Sequence, residues 1–121
     1  MELNEYQEKA MKTCMPSSAN LSYMLLGLNE ETGELSGKVA KLIRKGRTHF
    51  SSDGNVSVCG YDGEIDKIRT EIVKELGDVM WMAAGCAMVL GVPLENVCQM
   101  NLDKLADREA RDKIDGEGDN R

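Results

Sequence analysis

Residues 20–45 read NLSYMLLGLNEETGELSGKVAKLIRK and carry a helical repeat of apolar side chains. The apolar members of this repeat are Leu21, Met24, Leu25, Leu28, Leu35, Val39, Leu42 and Ile43. Their spacing of three or four positions places them on one side of an α-helix. Gly46 follows the repeat, and glycine commonly ends a helix. The stretch therefore predicts one long, core-facing helix.

A second long helix is predicted from Glu64 to about Gly91, with a stripe formed by Ile65, Ile68, Ile72, Leu76, Val79, Ala83 and Leu90. Shifting the first helix by 44 positions aligns the two stripes and superimposes Glu31 on Glu75 and Glu34 on Asp78. The acidic residues thus have the same position relative to each stripe. Two such helices are expected to pack antiparallel through their stripes.

The whole chain, residues 1–121, is predicted to form a single all-α domain with a four-helix, bundle-like architecture. A short helix is expected from Leu3 to about Cys14, and Pro93 opens a fourth helix that runs to about Arg111. Ser17 or Ser18 is expected to cap the first long helix. Residues 47–63 form a polar inserted loop with a possible short strand at Val56 and Val58, and residues 112–121 form a polar tail.

Composition excludes several classes of protein. The net charge is −6, which argues against binding a nucleic-acid polymer, since such proteins need a basic patch. No apolar stretch has the length of a membrane span, and the N-terminus has no basic or apolar leader pattern. We therefore expect a cytoplasmic protein with no membrane partner.

The four cysteines, Cys14, Cys59, Cys86 and Cys98, form no CxxC pair and have no histidine at zinc-ligand spacing. They are predicted to be reduced and mostly buried thiols.

Two acidic clusters carry the chemistry, one with Glu30, Glu31 and Glu34 and the other with Glu75 and Asp78. Residues three apart on a helix point the same way, and both clusters border the apolar stripes. Antiparallel packing would bring them to one shared edge, where the like charges repel unless a cation lies among them. The sequence predicts a magnesium site there. The ordinary alternative is a set of solvated surface charges.

Glycines inside both long helices favour the functional interpretation. Gly27, Gly33, Gly37, Gly77 and Gly85 each cost about 1 kcal/mol relative to alanine in a helix interior. Such residues are typical of close backbone approach or of space left for a ligand. Gly27 lies one turn before Glu31 on the acidic side, where a ligand would need room.

Lysines follow the acids along the same side of the first long helix, at Lys38, Lys41 and Lys45. They are candidates for binding phosphate. For Lys38 an ordinary ion pair with Glu34, four residues earlier, is the alternative.

Several segments together resemble the MazG-like all-α nucleoside triphosphate pyrophosphohydrolases. They are Glu30-Glu31-Thr32-Gly33-Glu34, Glu75-Leu76-Gly77-Asp78, Asn101-Leu102-Asp103-Lys104-Leu105 and the terminal Gly118-Asp119-Asn120-Arg121. The resemblance covers nearly the whole chain.

The resemblance implies a magnesium-dependent enzyme, with Mn²⁺ as a possible substitute, in which water attacks a metal-bound phosphate. It cleaves a nucleoside or deoxynucleoside triphosphate between the α and β phosphates. The implied metal ligands are Glu31, Glu34, Glu75 and Asp78, and Glu30 would orient a ligand or position the attacking water. Asn101 and Lys104 would contact the substrate. Arg121, with Asp119, would close over the site.

Three alternatives stay open from the sequence: a phosphoribosyl-ATP pyrophosphohydrolase, a non-catalytic module that binds metal or nucleotide, and a purely structural bundle. Long amphipathic helices in so short a chain carry more apolar surface than one protomer can bury. We therefore expect a homodimer or a homotetramer.

Overall fold

The computed structural model describes residues 1–118 and is dominated by four helices. They are α1 (Leu3–Met11), α2 (Leu21–Arg44), α3 (Asp62–Val89) and α4 (Leu94–Ala110). A 3₁₀ turn at Pro16–Ser18 precedes α2, and the strands β1 (Thr48–Phe50) and β2 (Val56–Val58) lie between α2 and α3. The predicted all-α class with two long helices is confirmed.

Local signals set the ends of α2. The Asn20 side chain accepts a hydrogen bond from the Tyr23 backbone N–H at 2.9 Å and so caps the helix. The expectation that Ser17 or Ser18 provides this cap was wrong, because both serines belong to the 3₁₀ turn. At the other end Gly46 has a φ of +63°, the left-handed conformation that glycine adopts most easily.

The antiparallel pairing of α2 with α3 forms the largest helix interface among the described residues. Met24 on α2 packs against Gly85 on α3, and Gly27 on α2 packs against Met82. Both methionines are buried, and Met24 has no exposed surface. A Cβ on Gly27 would lie 2.5 Å from Cε of Met82, so the glycine makes room for the thioether. These two reciprocal contacts fix the register of the helices.

The contacts of Gly27 and Gly85 decide between the two interpretations of these glycines. Gly27 allows close helix packing, because the Met82 side chain fills the space that a ligand beside the acids would need. In contrast, a Cβ on Gly33, Gly37 or Gly77 would meet no heavy atom within 4 Å. Of the five glycines predicted inside the long helices, two therefore serve packing and three face open space.

The shorter helices are attached to α3 through polar side chains. The Gln7 amide nitrogen on α1 donates to the carbonyl oxygens of Ala84 at 3.3 Å and Val92 at 3.2 Å, and its oxygen accepts from the Leu94 backbone N–H at 2.9 Å. The Trp81 indole N–H donates to Ala10 O at 3.2 Å. One glutamine therefore joins α1 to the end of α3 and the start of α4.

The segment between α2 and α3 folds as a β-hairpin in which Thr48 pairs with Val58. Arg47 closes its base, since its guanidinium donates to Glu64 at 2.5 Å and to the Cys59 carbonyl oxygen at 2.8 Å. Val58 lines a groove with Ile65 and Ile68 of α3. The hairpin is thus tethered to the start of α3 through Arg47 and Glu64, with an open groove between Val58 and the helix.

The cysteines are free, but none is buried: Cys59 is exposed and the other three are half-buried. The expectation of mostly buried thiols was wrong. The fully enclosed core of one chain is small and is occupied by alanines, methionines and leucines, so the cysteines lie at its margin.

Among the described residues, no single helix is long and apolar enough to cross a bilayer; α3 and α4 meet that test of length and composition only when joined across a 99° bend.

The glycine–methionine contacts predict opposite effects for two matched substitutions in α3. Gly85→Ala should lower the free energy of unfolding by about 1–3 kcal/mol, because its methyl group would overlap the buried Met24 thioether. Gly77→Ala should raise it by up to about 1 kcal/mol, since alanine favours helix and meets nothing there. Urea unfolding measures both. A Gly85→Ala protein as stable as Gly77→Ala would contradict this packing.

Candidate functional site

Three carboxylates converge where α2 and α3 face each other. Glu31 and Glu34 project from the same side of α2, and Glu75 projects from α3. One carboxylate oxygen from each lies within 4.8 Å of the others. The pairing of the helices, and not sequence proximity, brings the third carboxylate to the first two. We call Glu31, Glu34 and Glu75 the acidic cluster.

The acidic cluster is partly shielded from water. Glu31 and Glu75 are half-buried, whereas Glu34 is exposed. The pKa of Glu31 is raised above its ordinary value, first by burial and then by the charges of Asp78, Glu34, Glu30 and Glu75. The raised pKa means that negative charge has accumulated here at a cost, which a proton or a cation would relieve.

Glu30 and Asp78 lie beside the acidic cluster and outside it. Both are exposed, and the charge of each contributes to the raised pKa of Glu31. Asp78 also raises the pKa of the Tyr6 hydroxyl on α1, where burial is the larger cause. Tyr6 therefore borders this site. The sequence does not show this neighbour, because the approach of Tyr6 to Asp78 depends on how α1 docks.

Lys38 contacts the acidic cluster directly. Its ammonium nitrogen lies 3.0 Å from Oε1 of Glu75, and the Glu75 side chain is only 14% exposed. The hydrogen bond to Glu75, followed by its charge, raises the pKa of Lys38. The salt bridge that forms thus crosses from α2 to α3 and differs from the pair with Glu34 that was the alternative for Lys38. It offsets part of the negative charge of the acidic cluster.

An open groove of about 410 Å³ adjoins the acids on α2. It is lined by Glu30, Gly33, Glu34, Gly37, Lys38 and Lys41. Gly33 and Gly37 lie four residues apart, and the absence of side chains at both positions keeps the groove open. The positions of these two glycines next to Glu30 and Glu34 in the sequence already indicated open space beside the acids.

The other predicted substrate contacts are not part of the acidic cluster. Asn101 and Lys104 are exposed on α4, which packs on α1 and α3 and has no extensive contact with α2. The structure therefore places them on a different element from Glu31 and Glu34, and their role stays a prediction. Arg121 and Asp119 lie outside the described residues.

The donor set of the acidic cluster suits a hard divalent cation. Carboxylate oxygens are the ligands that Mg²⁺, Mn²⁺ and Ca²⁺ bind in proteins. Three carboxylates at mutual distances within 4.8 Å leave positions for water or a ligand oxygen around one ion. Such an arrangement can bind a phosphate group through the ion, although the protein itself is acidic.

Comparison with known proteins agrees with this geometry. The model of the MazG nucleotide pyrophosphohydrolase domain matches residues 19–111, a range that contains both acidic segments. The chain is 37% identical over 128 aligned residues to the "Gene 37 protein" of Mycobacterium phage L5, with the whole of both chains covered. No solved structure matches the chain.

The raised pKa of Glu31 predicts a pH-dependent effect of Glu31→Gln without divalent cations. An acid whose pKa is raised by folding destabilises the native state once ionised, so this cost grows as the pH rises above the ordinary pKa of glutamate. The variant should therefore be more stable than the parent near pH 8, by a few tenths to about 1 kcal/mol. The difference should shrink toward pH 4.5.

Urea unfolding at several pH values measures this difference, with EDTA present throughout. Glu109→Gln, at an exposed position on α4, is the control and should show no such trend. A Glu31→Gln protein that is equally stable or less stable at pH 8 would show that Glu31 carries no repulsion.

Proposed function

This chain belongs to the MazG family of nucleotide pyrophosphohydrolases, and we propose that it hydrolyses nucleoside triphosphates to the monophosphate and pyrophosphate in a magnesium-dependent reaction. The observation that supports this most directly is the acidic cluster, in which α2 and α3 each supply carboxylates to one point. MazG proteins are generally metal-dependent hydrolases, and these side chains have the chemistry to hold their metal.

The proposed role of the protein residues is to bind and orient. Glu31, Glu34 and Glu75 supply metal ligands, and Asp78 completes the set when the ion binds. These residues would hold Mg²⁺, which would supply charge neutralisation at the phosphate and a lower pKa for a bound water molecule. Glu30, exposed beside Glu31, would orient that water or a ligand carboxylate.

Hydrolysis follows the bond changes of phosphoryl transfer. The water oxygen bonds to one phosphorus of the α–β bridge, and the bond from that phosphorus to the bridging oxygen breaks. The bridging oxygen leaves on the other product, while both water protons pass to product oxygens or to solvent. Glu30 precedes Glu31 in the chain and lines the groove beside the acids together with Glu34, which favours it as the group that orients the water.

The first test is a panel of standard and modified nucleoside triphosphates, with phosphoribosyl-ATP included, assayed for pyrophosphate in the presence of Mg²⁺. We expect release from one or more nucleoside triphosphates, loss of release with EDTA, and recovery with Mg²⁺ or Mn²⁺. Glu34→Gln and Asp78→Asn should lower the rate by about 100-fold or more, since each removes a metal ligand.

Glu109 lies on α4 and is remote in sequence from the acidic cluster. Glu109→Gln is therefore the matched control and should retain the parental rate. Circular dichroism establishes that each variant is folded. Full activity in Glu34→Gln or Asp78→Asn would contradict the assignment of these residues. Tight nucleotide binding with no product after long incubation would indicate a non-catalytic module instead.

We also propose that the chain functions as a homodimer or homotetramer. The large apolar side chains that are more than a third exposed along α2 and α3 include Leu21, Leu25, Ile43, Val73, Leu76 and Met80. At about 100° per residue, Leu25 is roughly 120° around α2 from Glu31, so this apolar face lies away from the acids. Monomeric proteins rarely leave so much apolar surface in water. A second copy of the same face would cover it and leave the acidic side open.

Light scattering coupled to size exclusion tests the assembly. The parent should have two or four times the protomer mass of 13.3 kDa. Leu25→Glu combined with Leu76→Glu should shift it toward the protomer, because like charges would meet across the interface. Ile114→Glu, at an exposed apolar position outside this face, should not. A parent that runs as a protomer at micromolar concentration would contradict the proposal.

A further inference from the structure

A row of three lysines extends from the acidic cluster toward the C-terminal end of α2. By angle, Lys38, Lys41 and Lys45 lie within about 60° of one another and on the same side of the helix as Glu31 and Glu34. From Lys38 to Lys45 the row spans about 10 Å along the helix axis. The row of lysines therefore follows the acidic residues along the same side of α2.

The lysines line a cleft between α2 and α3 with a volume of about 170 Å³. Leu42, Ile68 and Ile72 form its apolar wall, and Glu71 is its one carboxylate. Three ammonium groups against one carboxylate give this cleft a net positive charge, in a chain whose net charge is −6. Lys38 is held by Glu75, but within residues 1–118 no salt bridge engages Lys41 or Lys45.

Among the described residues, the opposite side of the acidic cluster shows no such row of cations. There the neighbouring groups are the Asp78 carboxylate and the Tyr6 hydroxyl of α1, while the Met82 thioether is buried against Gly27 between the helices. A bound ligand would thus meet cations at one end of the site and an acid with a neutral hydroxyl at the other.

We infer that the cleft lined by Lys38, Lys41 and Lys45 binds the β and γ phosphates of the substrate, which leave together as pyrophosphate. The inference rests on the proposed function and adds a direction to it. A nucleoside triphosphate carries its charge at the phosphate end and is neutral and partly apolar at the nucleoside end. Charge complementarity therefore directs the terminal phosphates along α2 and the nucleoside toward α1.

A structural role for the same lysines gives a different expectation. Cations near the C-terminal end of a helix stabilise it through the helix dipole, and Lys41 and Arg44 both lie in the last turn of α2. Arg44 is exposed and lines neither the cleft nor the groove beside the acids. Arg44→Gln is therefore a matched control, because it removes the same charge from the same turn without altering the cleft.

The test is calorimetric binding of inorganic pyrophosphate in the presence of Mg²⁺ at fixed ionic strength. Lys41→Gln combined with Lys45→Gln should weaken binding by about tenfold or more, the effect of losing a charge-assisted contact. Arg44→Gln should change it by less than about twofold. Binding of the monophosphates of the four common bases should be the same in the double variant and the parent.

Three results would overturn the inference: no pyrophosphate binding by the parent, equal binding by the double variant, or equal weakening by Arg44→Gln. Selective loss of monophosphate binding in the double variant would reverse the proposed direction. Binding and turnover are measured separately, so the two proposals can fail independently. Pyrophosphate release with lysine-independent binding contradicts the cleft assignment alone, and lysine-dependent binding without turnover contradicts the proposed function alone.

Discussion

The register between α2 and α3 is the constraint on which the site depends. Met24 packs against Gly85, and Met82 packs against Gly27. If either helix slid along the other, a methionine side chain would overlap the backbone of the facing helix. A slip by one helical turn, about 5.4 Å, would carry Glu75 away from Glu31 and Glu34. Packing contacts between uncharged residues thus determine where the three carboxylates meet, and the site depends on Gly27 and Gly85 as well as on its acids.

The electrostatics of the site follow from that register. Burial of Glu31 and then the charges of the neighbouring carboxylates raise its pKa, so three carboxylates within 4.8 Å are unfavourable here without compensation. Lys38 offsets part of the negative charge through its 3.0 Å contact with Glu75. A divalent cation bound by the carboxylate oxygens would offset more of it. The same lysine begins the cationic row along α2. The carboxylates that would attract a metal and the lysines that would attract phosphate are therefore adjacent on α2.

Much of this architecture could be predicted from the sequence, because helical periodicity depends only on local spacing. All four helices were predicted to within three residues at each end, and the angle of the acids relative to the stripes indicated a shared edge. What could not be predicted depends on docking between elements. The partner of Lys38, the division of the glycines into packing and open positions, the exposure of the cysteines and the approach of Tyr6 to Asp78 all require the tertiary contacts. Asn20 was missed as a cap for a local reason, since two serines just before it offered the same chemistry.

Anomalous diffraction from crystals grown with Mn²⁺ would test most directly whether the paired helices form a metal centre. The ion's position is then observed independently of any activity. We expect an anomalous peak between α2 and α3, within coordination distance of carboxylate oxygens from Glu31, Glu34 and Glu75. A peak bound elsewhere, or no peak at these residues at saturating Mn²⁺, would contradict it.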